Sequence, residues 1–302
     1  VNAETLLHEL TPEAERLVAR HLETARMWYP HEYAPWDRGP DVVIDRPWRP
    51  EDHPVGDEAV RSAIYVNLLT EDNLPYYTRD IWRLFEADTG AEVWRTWALR
   101  WTAEEARHAV ALRDYAILSR IIDPRALEDG RMIQMCGGNV PDPPGLHHAL
   151  AYLTMQELAT RISHRNVHYF LGHDPTGQEV MKRVAADENL HHLFYRDLAS
   201  AALALDPSLM MVAIADEVMG FAMPGLGIPG FAAHSKAIAR SGIYNFRVHY
   251  EQILVPVVLR HWNIESVQGL TLEAERARDK VVGYIERIGR IAQRSERVAT
   301  PR

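Results

Sequence analysis

Trp101-Thr-Ala-Glu104-Glu105-Ala-Arg-His108 sets a carboxylate and an imidazole three residues apart, in a stretch where Trp94, Trp97, Trp101, Glu105, His108 and Leu112 recur every three or four positions. That period predicts a helix with Glu105 and His108 on one face. A second such pair, Glu188 and His191, lies in Asp187-Glu188-Asn-Leu-His191, and of the 15 histidines only these two follow a glutamate by three positions. Each pair is preceded by a further glutamate on an expected helix, Glu71 and Glu157, at spacings of 34 and 31 residues. Those spacings leave room for a helix, a turn and a return, so the chain reads as two near-repeats that together deliver four carboxylates and two imidazoles from four helices, each half supplying one metal ion.

This donor set is the pattern of ferritin-like di-iron and di-manganese bundles. The expected fold is therefore all-α, a ferritin-like four-helix bundle with additional C-terminal helices: one domain over residues 1–302, with the ligand bundle at about 57–205 and a helical extension at about 206–294. Oxygen-rich donors with one imidazole per metal suit iron or manganese and leave positions open for dioxygen. Spacing does not say which glutamates bridge. Glu104 and Asp187, which immediately precede the paired glutamates, either accept the free ring N–H of the opposite half's histidine, which would fix its orientation, or face solvent.

Composition narrows the class. A chain of 302 residues that is 47% hydrophobic and 25% charged can bury a sizeable core,. A net charge of -9 argues against a general nucleic-acid binder,. No apolar run approaches the roughly 18 residues of a membrane span. With Cys136 as the single cysteine, neither an intrachain disulfide nor a cysteine-rich metal site is available,. The first residues, with Glu4, His8 and Glu9, do not read as a cleavable signal,. A cytoplasmic location is expected.

Outward from the paired motifs, Thr11-Pro12-Glu13 reads as a helix start, with the helix ending near Trp28,. Six prolines between Tyr29 and Gly56 predict an irregular connector, whose aromatics Trp28, Tyr29, Tyr33, Trp36 and Trp48 pack onto the body,. Residues 57–86 read as a helix carrying Glu71, with Pro75 kinking or distorting it just beyond that glutamate, or else beginning a new helix with Glu71 on the surface; residues 90–122 form the next. A breaker-rich loop at 136–145 joins the two halves, followed by helices at 146–171 and from Asp174-Pro175 to Asp206-Pro207,. Further helices are expected over 210–221, 232–240, 244–262 with a kink at Pro256, and from a Thr271 cap to about 294.

Several of these segments together resemble a known family, the soluble acyl-[acyl-carrier-protein] desaturases of plant plastids and actinobacteria. The resemblance covers most of the chain. It is carried by Thr70-Glu71-Asp-Asn-Leu-Pro75, the Trp101–His108 stretch, Gln156-Glu157-Leu-Ala-Thr160 with Ile162-Ser-His164, Ala186-Asp187-Glu188-Asn-Leu-His191, and later Gly242-Ile-Tyr, Leu259-Arg-His-Trp262 and Gly269-Leu-Thr271. It implies a di-iron centre held by Glu71, Glu105, His108, Glu157, Glu188 and His191, with Thr160 as the active-site threonine. The implied reaction is oxygen-dependent insertion of a double bond into an acyl chain on acyl carrier protein, in fatty-acid or lipid metabolism, with electrons from a ferredoxin-type donor and a homodimeric assembly.

An unactivated C–H bond offers no polar handle, so an apolar tunnel would have to hold the chain in place. Ile81, Leu84 and Phe170 are candidate walls, or plain core. Asp80 and Arg83 sit where such a tunnel would be apolar, which hints at a different chain length, point of attack or substrate. Lys236, Arg240 and Arg247 are candidates for a basic docking face, and His192 is expected to point away from the centre, outside the ligand shell or on the surface. Two alternatives share the metal site: a hydroxylase or N-oxygenase of a specialised metabolite, and a non-catalytic iron-binding bundle. Manganese is compatible with the same donors.

Overall fold

The computed structural model describes residues 3–41, 47–53, 57–85, 91–138 and 140–299. Among these every regular element is helical: α1 (Ala3–Thr24), α2 (Glu58–Glu71), α3 (Leu74–Phe85), α4 (Glu92–Leu118), α5 (Pro124–Gly137), α6 (Leu146–Phe170), α7 (Pro175–Leu205), α8 (Pro207–Gly220), α9 (Phe231–Ser241), α10 (Phe246–His249), a π-wound helix (Tyr250–His261) and α11 (Leu272–Ala299), with short 3-10 turns between. No described helix is long and apolar enough to cross a membrane.

The long helices bury apolar residues in two clusters with a polar layer between them. Along α4, Trp94, Trp97 and Trp101 belong to one cluster and Ala111, Leu112 and Tyr115 to the other. Glu104, Glu105 and His108 occupy the turns in between, and all three are buried. Helix α7 repeats the arrangement in the reverse direction, with Val180, Met181 and Val184 in the second cluster and Phe194, Tyr195 and Leu198 in the first. Its intervening turns carry Asp187, Glu188 and His191, also buried. The two helices therefore run antiparallel, with their polar turns at one level.

Several boundaries differ from the sequence reading. Helix α1 starts at Ala3 instead of Thr11, runs through Pro12, and ends at Thr24, short of Trp28. Leu6, Leu7, Leu10, Ala14 and Leu17 are fully buried, and burial of large apolar side chains at about 1.5–3 kcal/mol each outweighs an interior proline costing about 3 kcal/mol. Thr11, expected as a cap, instead donates its hydroxyl to the Leu7 carbonyl at 2.9 Å. At Pro75 the chain breaks into α2 and α3 where a kinked single helix was expected: Asp72 closes α2 on Leu68 at 2.9 Å, and Asn73 opens α3 by accepting from Tyr76 at 3.1 Å. Similarly, the expected helix over 244–262 divides into α10 and a π-wound segment that accommodates Pro256. Thr271 does cap α11, accepting from the Ala274 N–H at 3.3 Å.

The proline-rich connector winds into short turns at Pro30–Glu32, Trp36–Asp41 and Pro50–Asp52; its expected course through 42–46 and 54–56 lies outside the described residues, as do the expected helix ends at Glu86 and Gly90. It is tied to the bundle by polar anchors as well as by aromatic packing. Trp48 donates to the Arg120 carbonyl at 2.8 Å. Arg38 and His53 both converge on Asp174 at about 3 Å, where Tyr115 also donates at 2.8 Å. Trp28 is buried, whereas Tyr29 and Trp36 are exposed and do not pack as expected.

Candidate metal centre

Helical spacing turns Glu105 and His108 of α4 and Glu188 and His191 of α7 toward one another, and α2 and α6 add Glu71 and Glu157 from the sides. All six are buried. They form two overlapping groups, Glu71, Glu105, His108 and Glu188, and Glu105, Glu157, Glu188 and His191, each with one donor atom per residue lying within 4.8 Å of the others. Glu105 and Glu188 belong to both groups, which is the geometry of two adjacent cation sites sharing two carboxylates. The two near-repeats thus meet face to face, each contributing donors to both groups.

Both imidazoles aim Nδ1 inward. His191 Nδ1 lies 2.8 Å from Glu105 Oε1 and 3.6 Å from Glu157 Oε2, while His108 Nδ1 lies 3.4 Å from Glu105, 3.6 Å from Glu188 and 3.8 Å from Glu71. Their Nε2 atoms turn outward onto the acids of the opposite half: His191 onto Glu104 at 3.0 Å and His108 onto Asp187 at 3.5 Å. Glu104 thus hydrogen-bonds the opposite half's histidine, whereas Asp187, though buried beside His108, takes its hydrogen bonds from Trp28, Arg107 and Arg183 and none from that ring.

A cation fits this arrangement on the orientation of its lone pairs. Glu105 Oε1 and His191 Nδ1 are only 2.8 Å apart, yet neither has a hydrogen-bond partner, nor do His108 Nδ1 and Glu157 Oε2. Buried polar atoms are almost always paired; these four orphans are distributed over the two donor groups, where bound cations would satisfy them. The buried acids also crowd one another. Burial, then the charges of Glu188 and Glu71, push the Glu105 carboxyl up to about 7. Burial likewise raises Glu157 well above the ordinary range.

Outside this group the structure adds contacts that spacing did not reveal. Glu104 also accepts from His21 Nε2 at 2.8 Å and from Arg100 Nε at 2.7 Å. Asp187 accepts from the Trp28 indole at 2.7 Å and pairs with Arg183, while Arg107 reaches it at 3.4 Å. Trp101 donates to Glu157 at 3.1 Å, and His164 Nε2 lies 3.4 Å from Glu71. His21 had one local signal, its place on the buried stripe of α1 with Leu17 and Val18. Nothing local tied it to Glu104.

Thr160 lies one helical turn from Glu157. Its hydroxyl is 2.9 Å from Glu188 Oε2, 2.9 Å from the Glu157 carbonyl and 3.3 Å from the Gln156 carbonyl. With one hydrogen to give, Thr160 can swing between the carboxylate and the backbone. Beside it a cavity of about 20 Å³ is lined by Glu71, Tyr77, Trp101, Glu105, Thr160 and Pro224 among others. Of the expected tunnel walls, Ile81 is core and Phe170 is 40% exposed. Asp80 is engaged with its helix neighbours Arg79 at 2.7 Å and Arg83 at 3.6 Å. His192 avoids the centre but is buried, its Nδ1 2.9 Å from the Thr154 carbonyl.

The fatty acid desaturase family model matches residues 2–302. The chain belongs to that family. It is 39% identical over 291 residues to DesA1 of Mycobacterium tuberculosis, a protein named as an acyl-[acyl-carrier-protein] desaturase, the match covering 93% of this chain and 84% of the relative. To stearoyl-[acyl-carrier-protein] 9-desaturase 1, chloroplastic, of Oryza sativa it is 32% identical, over 76% of this chain and 64% of that one. The X-ray structure of DesA2 of M. tuberculosis H37Rv superimposes with a TM-score of 0.70 at 24% identity, covering 90% of this chain and 99% of that one, a match to the all-α fold.

Proposed function

We propose that this desaturase acts on an acyl chain carried by acyl carrier protein, using a di-iron centre held by Glu71, Glu105, His108, Glu157, Glu188 and His191. The observation that carries the reading is the set of unpartnered lone pairs of Glu105, Glu157, His108 and His191, all turned inward among buried acids. The substrate class is that of the named relatives. When bound, the di-iron pair supplies the redox chemistry by which dioxygen is activated. The overall reaction balances as saturated acyl chain plus dioxygen, two electrons and two protons giving the alkene and two waters. A ferredoxin-type protein is the proposed electron donor, a homodimer the proposed assembly, and the cytoplasm the proposed location.

The chain's own residues have separable tasks. Glu105 and Glu188 would be available to both cation positions; Glu104 accepts from His191 Nε2 at 3.0 Å and so orients that ring, while Asp187 lies 3.5 Å from His108 Nε2 on the opposite side,. Thr160 is the proposed catalytic threonine, placed to hand its hydroxyl hydrogen to either side. Substrate selection falls to apolar surface. A cavity of about 330 Å³ is bounded by Phe221, Ala222, Met223, Phe231, Leu254 and Ile288, among others. Met223 is followed directly by Pro224, which lines the small cavity at the carboxylates. Ser235 and Ala239 of the same wall sit beside Lys236 and Arg240, both exposed, a basic rim suited to an acidic carrier.

The test is incubation of iron-loaded, reduced protein with dioxygen and a panel of acyl-carrier-protein thioesters, read by mass spectrometry. Loss of two hydrogens from one chain length supports the proposal. Gain of an oxygen atom would move the reading to a hydroxylase, and metal uptake without any product would move it to a binding protein.

A further inference from the structure

The small cavity beside the carboxylates holds a donor that the reaction scheme above leaves unused. Thr70, Trp101 and Thr160 line it, and each has a protein acceptor: Thr70 the Asn67 carbonyl at 2.7 Å, Trp101 the Glu157 carboxylate at 3.1 Å, Thr160 the Glu188 carboxylate at 2.9 Å. Tyr77 of α3 lines the same space, and its hydroxyl is buried without a hydrogen-bond partner. Tyrosine hydroxyls that leave water normally find one. The cavity, at about 20 Å³, has room for one water-sized molecule.

We propose that the Tyr77 hydroxyl donates a hydrogen bond to a small exogenous ligand of the size of water or dioxygen, held in this cavity beside Glu71 and Glu105. The inference rests on the metal-centre reading, because a bound metal ion is what would hold an exogenous ligand, and the azide probe used below, beside these carboxylates. A tyrosine hydroxyl carries its proton at neutral pH, so it acts as a donor and not as a base. Tyr77 would then orient the bound molecule, while Thr160 attends to Glu188.

Two measurements on Tyr77→Phe test this, and neither is turnover. The first is titration of the ferric-loaded protein with azide, followed by its absorption band. Loss of one hydrogen bond is expected to weaken azide binding about 10-fold, equivalent to about 1.4 kcal/mol. The second is urea unfolding of the metal-free protein, where a hydroxyl with no protein partner predicts a midpoint unchanged or raised in the phenylalanine variant. Azide affinity within twofold of wild type overturns the proposal, as does a lowered metal-free midpoint, which would reveal a structural partner. Wild-type protein that takes up no metal overturns the centre itself along with this proposal; metal uptake with equal azide binding in both proteins overturns the Tyr77 role alone.

Discussion

Replacing Glu104 by glutamine tests the division of labour around the centre. The Glu104 side chain is buried and accepts from His21 at 2.8 Å, His191 at 3.0 Å and Arg100 at 2.7 Å. Glutamine keeps one acceptor oxygen and turns a second position into a donor facing groups that are themselves donors. Charge-assisted hydrogen bonds contribute about 1.5–3 kcal/mol each. Losing one and weakening another should destabilise the metal-free protein by about 3 kcal/mol, a fall in Tm of about 5 °C at this size.

The larger effect is local. With the His191 ring no longer fixed, affinity should drop about 10–100-fold at the position formed by Glu105, Glu157, Glu188 and His191, and much less at the one containing His108. Anaerobic ferrous titration should separate one tight and one weak site, and Asp187→Asn should weaken the other site. Two equally tight sites in Glu104→Gln, with an unchanged Tm, would refute the assignment of Glu104 as the residue that positions His191.

Three further outcomes follow from packing and burial. A β-carbon added at Gly177 would lie 2.3 Å from the Tyr115 hydroxyl, so Gly177→Ala should cost about 1–3 kcal/mol by overpacking and by disturbing the Tyr115–Asp174 bond, measured by urea denaturation. Gly283 in α11 has open space around it, and Gly283→Ala should raise stability by about 0.5–1 kcal/mol in the same assay. Burial lowers His249 to about 4 from 6.5; below pH 6.5 the unfolded chain therefore binds the proton more readily, and stability is full above that pH and falls toward pH 4, by up to about 3 kcal/mol. His249→Phe should show a shallower loss over that window, and an equal slope in both proteins would contradict it.

How far the sequence carried the account depends on whether a feature is local. The convergence of Glu105 with His108, and of Glu188 with His191, follows from helical spacing, and the near-repeat brings the halves face to face. The roles of His21 and Trp28 depend on contacts across 83 and 159 positions, which no periodicity encodes. Boundaries failed where proline was read by its local rule: Pro12 stays inside α1 because the stripe Leu6, Leu7, Leu10, Ala14 and Leu17 is buried on both sides of it. Pro75 does more than kink the chain, because Asp72 and Asn73 close one helix and open the next. The π-winding over Tyr250–His261 has no recognisable pattern in residue type. The small cavity is likewise a tertiary property, assembled from α2, α3, α4, α6 and the segment after α8.

The central claim is that six buried residues hold two metal ions that serve oxygen-dependent desaturation. Its most direct test is metal analysis of the anaerobically iron-loaded protein beside its Glu105→Ala and His191→Ala variants, with helicity checked by circular dichroism. The account predicts about two irons per chain in wild type and a loss of bound iron in both variants at unchanged helical content. Full iron retention in both variants, or no uptake by the wild-type protein, would contradict it.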